Sequence, residues 1–343
     1  MNRRRTIAVV GSAAVLVAAA AAAPVTWLPV KLGIHRFGQV TAPDAIVARA
    51  SAREVGFSRP ANGKCGCGDG PRGPMVFHVA RDRSIWLLDD LNHRLLVWRP
   101  GRPAHAGRRV AIPRELNVRD FAVGRDGTIY LTTGGDAGRP NLFALDRSGK
   151  LRWKARTTIG VGNAQLQLGP DGAVYTPSAD EGPMHWARLT TRDGRPLSLA
   201  EQRKSADRAQ PLPGGLRLLE TQLSAHELHV ALVGEGRRIV RAWRITSRTA
   251  LGVPRARPAL VGGDLVVPLD MTRQVRPDRV LWENVVVRLG RAGGTTRRIS
   301  LDARSVLGDP SGTVPLEIGP DGRLYQLRTN PKTGVRVARY SLG

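Results

Sequence analysis

The stretch Phe121-Ala-Val-Gly-Arg-Asp-Gly-Thr-Ile-Tyr-Leu131 decides the fold expected of this chain. Two short apolar runs flank Asp126-Gly127, and an Asp-Gly pair between such runs favours a tight turn joining two β-strands. The same unit recurs as Leu166-Gln-Leu-Gly-Pro-Asp-Gly-Ala-Val-Tyr175 and as Leu316-Glu-Ile-Gly-Pro-Asp-Gly-Arg-Leu-Tyr325. Each copy therefore predicts a β-hairpin with a two-residue turn of type I′.

Six copies of this unit align on the second residue of the strand that follows the turn. The six markers are Trp86, Tyr130, Tyr175, His229, Val266 and Tyr325. Successive markers are 44, 45, 54, 37 and 59 residues apart. Periods of roughly 40–50 residues with several short strands each are typical of propeller blades. Gly and Pro, at 39 and 24 residues, interrupt every segment before a long helix can form. The sequence predicts an all-β, six-bladed β-propeller.

Two of the copies resemble known propeller repeats. The run Asn92-His93-Arg94-Leu95, after Asp89-Asp90, resembles the NHL repeat, which is named for an Asn-His-Leu run near the end of its second strand. The stretch Asn141-Leu-Phe-Ala-Leu-Asp-Arg-Ser-Gly-Lys-Leu-Arg-Trp-Lys154 is similar to the PQQ-type repeat. Both resemblances imply a propeller, and relatives of that fold include lyases, lactonases and pure binding modules. The Cys-Cys pair of PQQ enzymes is absent, so no quinone cofactor is implied.

The chain is predicted to have three parts, which are a leader, an arm and the propeller. Arg3-Arg4-Arg5 precedes an apolar segment from Thr6 to Ala23, so residues 1–23 are predicted to be a signal peptide or an N-terminal membrane anchor. Either alternative places the propeller, residues 71–343, outside the cytoplasm, as a secreted or a single-pass anchored protein. Residues 24–70 form an arm. Its stretch Ala45-Ile-Val-Ala-Arg-Ala50 either adds an outer strand to the last blade or belongs to a disordered linker.

The formal net charge of +25 favours acidic partners. The cations are scattered over every blade instead of forming a nucleic-acid-binding block, so nucleic acid is not an expected partner. Part of the Arg content is typical of a GC-rich genome. The expected partner is a protein or an anionic envelope component, and a membrane is contacted only through the N-terminal segment. The propeller is expected to be a monomer.

One position on the first strand of each copy breaks the apolar pattern. In register, the six residues at this position are His78, Ala122, Gln167, Gln222, Ala259 and Glu317. Asp120 and Glu220 lie two residues upstream of it. Because first strands line the channel of a propeller, the polar members are predicted to converge at its mouth. The candidate ligands there are His78, Asp120, Gln167, Glu220, Gln222 and Glu317. They could hold a divalent metal, or they could satisfy backbone groups and water in the channel.

Two further groups of polar residues have competing explanations. Cys65 and Cys67, with one residue between them, are the only cysteines. They form a small strained disulfide, part of a soft-metal site, or two free thiols. The segment Asp89–His93 is densely polar and is expected to be a turn between the second and third strands.

The motifs of common enzyme classes are missing from the chain: it has no Gly-x-Ser-x-Gly elbow, no His-Glu-x-x-His pair and no phosphate-binding Gly loop. No catalytic residue is assigned and no cofactor is required, although a divalent metal fits the channel candidates. The leading hypothesis is a non-catalytic propeller that binds or scaffolds at the cell envelope. The alternative is a metal-dependent lyase or lactone hydrolase with its site at the channel mouth.

Overall fold

The structure is a computed structural model. It describes residues 25–57, 73–105, 107–133, 139–158, 165–178, 185–252, 258–276, 279–301 and 316–343. The predicted leader, residues 1–23, and the cysteines Cys65 and Cys67 lie outside the described residues. Within the described part no helix is long and apolar enough to cross a membrane.

The strands of the described part form six sheets arranged as the blades of a propeller, which confirms the predicted fold class. Two strands precede the first blade: β1 (Trp27–Lys31) and β2 (Ala45–Ala50). Blade 1 contains β3 (Phe77–Val79), β4 (Ile85–Asp89), β5 (Arg94–Trp98) and β6 (Arg108–Ala111). Blade 2 contains β7 (Val118–Val123), β8 (Ile129–Thr133), β9 (Leu142–Leu145) and β10 (Leu151–Ala155). Blade 3 contains β11 (Gln167–Leu168), β12 (Val174–Ser178) and β13 (His185–Arg188), followed by helix α1 (Leu199–Lys204).

The second half of the ring has longer strands. Blade 4 contains β14 (Gln210–Pro211), β15 (Arg217–Ser224), β16 (Glu227–Val233) and β17 (Ile239–Thr246). Blade 5 contains β18 (Ala250–Gly252), β19 (Ala259–Val261), β20 (Asp264–Arg276), β21 (Arg279–Leu289) and β22 (Thr295–Leu301). Blade 6 contains β23 (Leu316–Ile318), β24 (Leu324–Asn330) and β25 (Gly334–Tyr340). Short 3₁₀ turns occupy Asp90–Asn92, Pro213–Gly215 and Glu235–Arg237.

The turn between the first two strands of a blade differs from the predicted two-residue form. In blade 2 the amide of Gly124 donates to the carbonyl of Thr128, and the amide of Gly127 donates to the carbonyl of Gly124. These bonds enclose a three-residue loop in which Gly127 has a φ of 82° and Asp126 does not have a positive φ. The type I′ prediction is therefore wrong, because that turn needs positive φ at both central residues. The loop is a three-residue hairpin with a left-handed Gly.

The Asp of this turn contacts the Tyr four residues later. The hydroxyl of Tyr325 donates to Asp321 Oδ2 at 2.8 Å, and the hydroxyl of Tyr175 donates to Asp171 Oδ2 at 3.2 Å. Burial raises the pKa of Tyr325 to about 12, so its hydroxyl stays protonated and can donate. The Tyr325 ring also lies so close to Gly319 that a Cβ at that residue would meet it at 2.6 Å. The Gly, Asp and Tyr of the repeat are thus parts of one packing unit.

Blade 1 has Arg83 where the other hairpins have Gly. Arg83 has a φ of 65°, and its amide donates to the carbonyl of Ala80 as in the Gly-containing loops. We expect Arg83→Gly to raise the free energy of unfolding by about 0.5–1 kcal/mol, because a left-handed non-Gly residue costs roughly 1–2 kcal/mol and the entropy of Gly offsets part of that gain. Urea unfolding measures the change. As a matched control, Gly172→Ala should lower stability, since Gly172 has a φ of 88°. Unchanged midpoints in both variants would contradict the strain argument.

The apolar core is divided among the interfaces between blades. Five clusters of buried side chains join blades 1 and 2, blades 2 and 3, blades 4 and 5, blades 5 and 6, and blades 6 and 1. Trp243 of β17, for example, is fully buried and shares a cluster with Val267 of β20. Because both faces of a blade are covered, a strand such as β4 is apolar at four consecutive positions.

The residues before blade 1 connect three blades. β1 pairs in parallel with β17 at the outer edge of blade 4, and β2 pairs antiparallel with β25 as the outer strand of blade 6. Between them, the amide of Thr41 donates to the carbonyl of Ser300 in blade 5. We call residues 32–44 the N-terminal strap. Through β2, the last blade of the ring is completed by a strand that precedes blade 1 in the sequence.

A buried imidazole fixes the strap to blade 5. His35 is 3% exposed, and its Nε2 lies 2.6 Å from Glu283 Oε2 while its Nδ1 lies 2.6 Å from a guanidinium nitrogen of Arg298. A guanidinium can only donate, so Nδ1 accepts and Nε2 carries the proton that is donated to Glu283. His35 is therefore a neutral imidazole with both nitrogens engaged. Its backbone amide donates to Thr249 Oγ1 at 2.8 Å.

Stability should depend on the protonation of His35. Burial is the largest cause that lowers the pKa of His35 below its ordinary 6.5; nearby Arg298 and Arg273 add to this, and Glu283 opposes it. The unfolded chain then binds a proton at a higher pH than the folded chain does. The free energy of unfolding should be constant with respect to this group above pH 6.5 and should fall as the pH drops below that value. Urea unfolding of the parent and of His35→Gln between pH 8 and pH 5 measures this difference, which should shrink on acidification. A constant difference would contradict it.

Candidate functional site

The inner strands are the first strands of the blades, namely β3, β7, β11, β14, β19 and β23. Their register places His78, Ala122, Gln167, Ala259 and Glu317 opposite Trp86, Tyr130, Tyr175, Val266 and Tyr325. Five of the six positions in the predicted column are therefore equivalent.

The register predicted for blade 4 is wrong. Its inner strand is β14, where Gln210 lies opposite Leu218 of β15, whereas Gln222 and Glu220 belong to β15, the second strand. The sequence pattern missed β14 because the strand has two residues and its turn, Pro213–Gly215, contains no Asp. The pattern was matched instead to the next hairpin along the chain. An even period would have found the correct hairpin, because Leu218 follows Tyr175 by 43 residues and His229 does so by 54.

His78 and Glu317 connect blade 1 to blade 6. His78 Nδ1 lies 2.8 Å from Glu317 Oε1, and the amide of Val79 donates to Glu317 Oε2 at 2.8 Å. The imidazole also meets the ring of Phe121 edge-on, with 6.4 Å between ring centroids. Both carboxylate oxygens of Glu317 are thus engaged by the neighbouring blade.

Asp120 makes the corresponding connection between blades 2 and 3. Its Oδ2 accepts from the amide of Leu166 at 2.6 Å, and its Oδ1 accepts from the amide of Phe121 at 2.8 Å. A carboxylate that accepts two amide hydrogen bonds is held firmly in place. Asp120 therefore fixes the start of blade 3 against the inner strand of blade 2.

Two glutamines continue this series around the channel. Gln210 is 3% exposed, and its side-chain nitrogen lies 3.3 Å from Gln167 Oε1 and 3.5 Å from the carbonyl oxygen of Pro258. Those partners belong to blade 3 and to the residue that precedes the inner strand of blade 5. The polar side chains of the inner strands consequently form hydrogen bonds from blade to blade.

Glu220 has a different environment from the other candidates. It lies opposite Val230 on the face of β15 that also carries Leu218, and both of these residues belong to the core between blades 4 and 5. The surrounding protein raises the pKa of its carboxyl to about 7, although the residue as a whole is exposed to solvent. Because the residue is exposed, water offsets part of the desolvation that raises this pKa. Gln222 donates to the carbonyl of Leu251 at 2.7 Å, which links β15 to β18.

The described residues contain no group of three or more His, Cys, Asp or Glu side chains that could hold a metal ion. His78 and Glu317 meet as a pair, whereas Asp120 is engaged at the boundary between blades 2 and 3. Within the described part, the channel candidates therefore do not assemble into a cluster of three such ligands. The polar side chains of the inner strands therefore link neighbouring blades through hydrogen bonds. Glu220 lies apart from them, and the pKa of its carboxyl is raised.

The polar segment after β4 forms the expected turn and also a buried ion pair. Asp89 is fully buried, and its Oδ2 lies 2.8 Å from Arg94 Nε and 2.9 Å from Asn92 Nδ2. Its Oδ1 accepts from the amide of Gly56 at 2.9 Å. His93, at the end of the turn, has a φ of 48°. The carboxylate of Asp89 therefore holds the turn, the third strand and the segment after β2 together.

The chain is similar to known proteins in its fold only. No family model matches the chain, and no curated protein matches it. Among solved structures, a PQQ-bound aldose sugar dehydrogenase from Streptomyces coelicolor is similar at 11% identity, with a TM-score of 0.44, over 87% of this chain and 96% of that one. A catalytically inactive virginiamycin B lyase from Staphylococcus aureus, bound to quinupristin, is similar at 12% identity, with a TM-score of 0.41, over 77% and 80%. A putative gluconolactonase is similar at 16% identity, with a TM-score of 0.38, over 78% and 88%. Likenesses of this size transfer no activity. The chain is therefore similar in fold alone to β-propellers of the PQQ-like, virginiamycin B lyase and gluconolactonase types.

Proposed function

We propose that this chain is a non-catalytic propeller that binds an anionic component of the cell envelope or a protein there. The observation that carries the proposal is that the polar side chains of the inner strands form hydrogen bonds between blades. These hydrogen bonds involve the side chains of Glu317, Asp120 and Gln210. A channel wall engaged in this way serves to hold the ring together. Binding is then a task for the outer surface, where the net charge of +25 attracts anions.

The extracytoplasmic location is part of the proposal and is supported by the sequence of residues 1–23, with its three Arg before an apolar segment. A fusion of these residues to alkaline phosphatase, which is active only outside the cytoplasm, tests the location. An inactive fusion would contradict it.

Salt dependence tests the charge-driven form of the binding. The purified chain, immobilised, is expected to retain envelope components at about 0.1 M salt and to release them at about 1 M, because the Debye length falls from about 10 Å to about 3 Å. An unrelated protein of similar net charge serves as the control for unspecific retention. Equal retention at both salt concentrations would contradict the electrostatic form of the proposal.

A second candidate is a metal-dependent lyase or lactone hydrolase at the channel mouth, which would use His78, Asp120 and Glu317 of the inner strands. The observation in its favour is the pairing of the His78 imidazole with the Glu317 carboxylate at 2.8 Å, since an imidazole held by a carboxylate can act as a general acid or base. Elemental analysis of the purified chain separates the two functions. An enzyme of this kind should carry stoichiometric metal, which the double variant His78→Ala, Glu317→Ala should lose. Metal-free protein whose thermal midpoint is insensitive to EDTA would rule this candidate out.

A further inference from the structure

A cavity of about 290 Å³ lies on blade 1, between the turn that joins β4 to β5 and the outer strand β6. Its polar lining consists of Asn92, His93, Arg94, Arg109 and Arg114, and no acidic side chain lines it. Three arginines therefore line one opening. Like charges repel one another, so such a cluster indicates a site for an anion.

The three arginines at this cavity differ in their electrostatic partners. Arg94 is neutralised by the buried carboxylate of Asp89, at 2.8 Å, and this pair also holds the Arg94 guanidinium in position. Arg109 and Arg114 are exposed, and within the described ranges neither forms an ion pair with a carboxylate. Arg109 interacts electrostatically with the carboxylate of Glu54, and both residues line a neighbouring pocket. Among the described residues, the lining of the cavity keeps an excess of positive charge.

His93 occupies a strained backbone conformation at the edge of the cavity. Its φ of 48° and ψ of 54° are left-handed, and its amide and carbonyl are bonded to Asp90 and Ile112. Left-handed residues other than Gly are uncommon and often occur at functional sites. A Gly would fit this backbone without strain, but the chain has His93 here, among the residues that line the opening.

We propose that this cavity binds the phosphate monoester of a phosphorylated sugar that belongs to an envelope polymer. A phosphate monoester carries about −1.5 to −2 at pH 7, so the three arginines of the lining attract it more strongly than they attract a singly charged carboxylate. The planar fork of Arg pairs with phosphate oxygens through two parallel hydrogen bonds. The volume exceeds that of a phosphate and leaves room for the sugar ring. This inference rests on the proposed function, because the phosphate is the anionic group of the envelope partner.

Calorimetric titration of the full chain with glucose 6-phosphate at low salt tests the site, with glucose and glucuronate as comparison ligands. Arg109→Gln and Arg114→Gln should each weaken binding at least tenfold. The matched control is Arg297→Gln, which removes the same charge from an exposed position on blade 5 and should change affinity less than twofold. Because Arg109 and Arg114 are exposed, the variants should keep the thermal midpoint of the parent, and this is checked first.

Three outcomes overturn the proposal, and they differ from a failure of the proposed function. If Arg297→Gln weakens binding as much as the cavity variants, the phosphate is held by general surface charge. If glucuronate binds as tightly as glucose 6-phosphate, the site does not select phosphate. If glucose 6-phosphate does not bind while envelope components are still retained in a salt-dependent manner, the cavity is not the site and the proposed function stands. Loss of that retention in the parent chain would contradict the proposed function itself.

Discussion

A chain that begins at Ser51 is expected to lose the closed ring. It lacks β2, whose five register pairs with β25 supply the outer strand of blade 6. Each hydrogen bond lost is worth about 0.5–1.5 kcal/mol, so the loss is about 5 kcal/mol before the packing of Ala48 and Ala50 is counted. Both of these residues are buried in the cluster between blades 6 and 1. Thermal unfolding should show a midpoint lower by at least 10 °C or no cooperative transition.

A second truncation separates the strand from the rest of the N-terminal region. A chain that begins at Val40 lacks β1 and most of the N-terminal strap but keeps β2, and it should remain cooperative. A synthetic peptide of residues 43–52 should raise the midpoint of the shorter chain, because a free strand can pair with the exposed edge of β25. Two truncated chains of equal stability, with no response to the peptide, would show that β2 does not close the ring.

Replacing Asp89 with Ala should destabilise the protein by about 3–5 kcal/mol. The change removes one partner of a buried ion pair and leaves the guanidinium of Arg94 without its carboxylate. It also removes the acceptor for the amide of Gly56 and for the side chain of Asn92. Urea unfolding with a linear extrapolation measures the loss.

Asp193 provides the matched control for Asp89. It pairs with Arg195 on the surface, where both side chains are more than half exposed. Asp193→Ala should therefore change stability by less than about 1 kcal/mol. If Asp89→Ala cost no more than Asp193→Ala, the buried network would not support blade 1.

The hairpins could be predicted from sequence because their signals are local. Asp126, Gly127 and Tyr130 fall within five residues, and a period of roughly 40–50 residues repeats them. The predicted turn type was wrong because an Asp-Gly pair is compatible with more than one hairpin loop length. The hydrogen bond between Asp321 and Tyr325 was not predicted for a different reason. It forms only when the Tyr325 ring packs against Gly319.

The candidate site was less predictable because its contacts are distant in sequence. Glu317 and Val79 are 238 residues apart, so their hydrogen bond exists only after the ring has closed. The sequence indicated correctly that His78 and Glu317 occupy equivalent positions, but it could not indicate that they meet each other. The cavity on blade 1 was not predicted, because the Asn92-His93-Arg94 run indicated a repeat and only the fold brings Arg109 and Arg114 beside it.

The pairing of β2 with β25 also sets a condition on how the molecule is made. Synthesis delivers Ala45–Ala50 before all six blades, whereas Gly334–Tyr340 follows blades 1 to 5. Until then β2 has no permanent partner, and blades 1 to 5 must form beside an open end. A ribosome that stalls before blade 6 would release a chain with exposed strand edges, which invite aggregation. Quality control of such incomplete chains therefore matters more for this molecule than for one whose last strand pairs with its immediate neighbour.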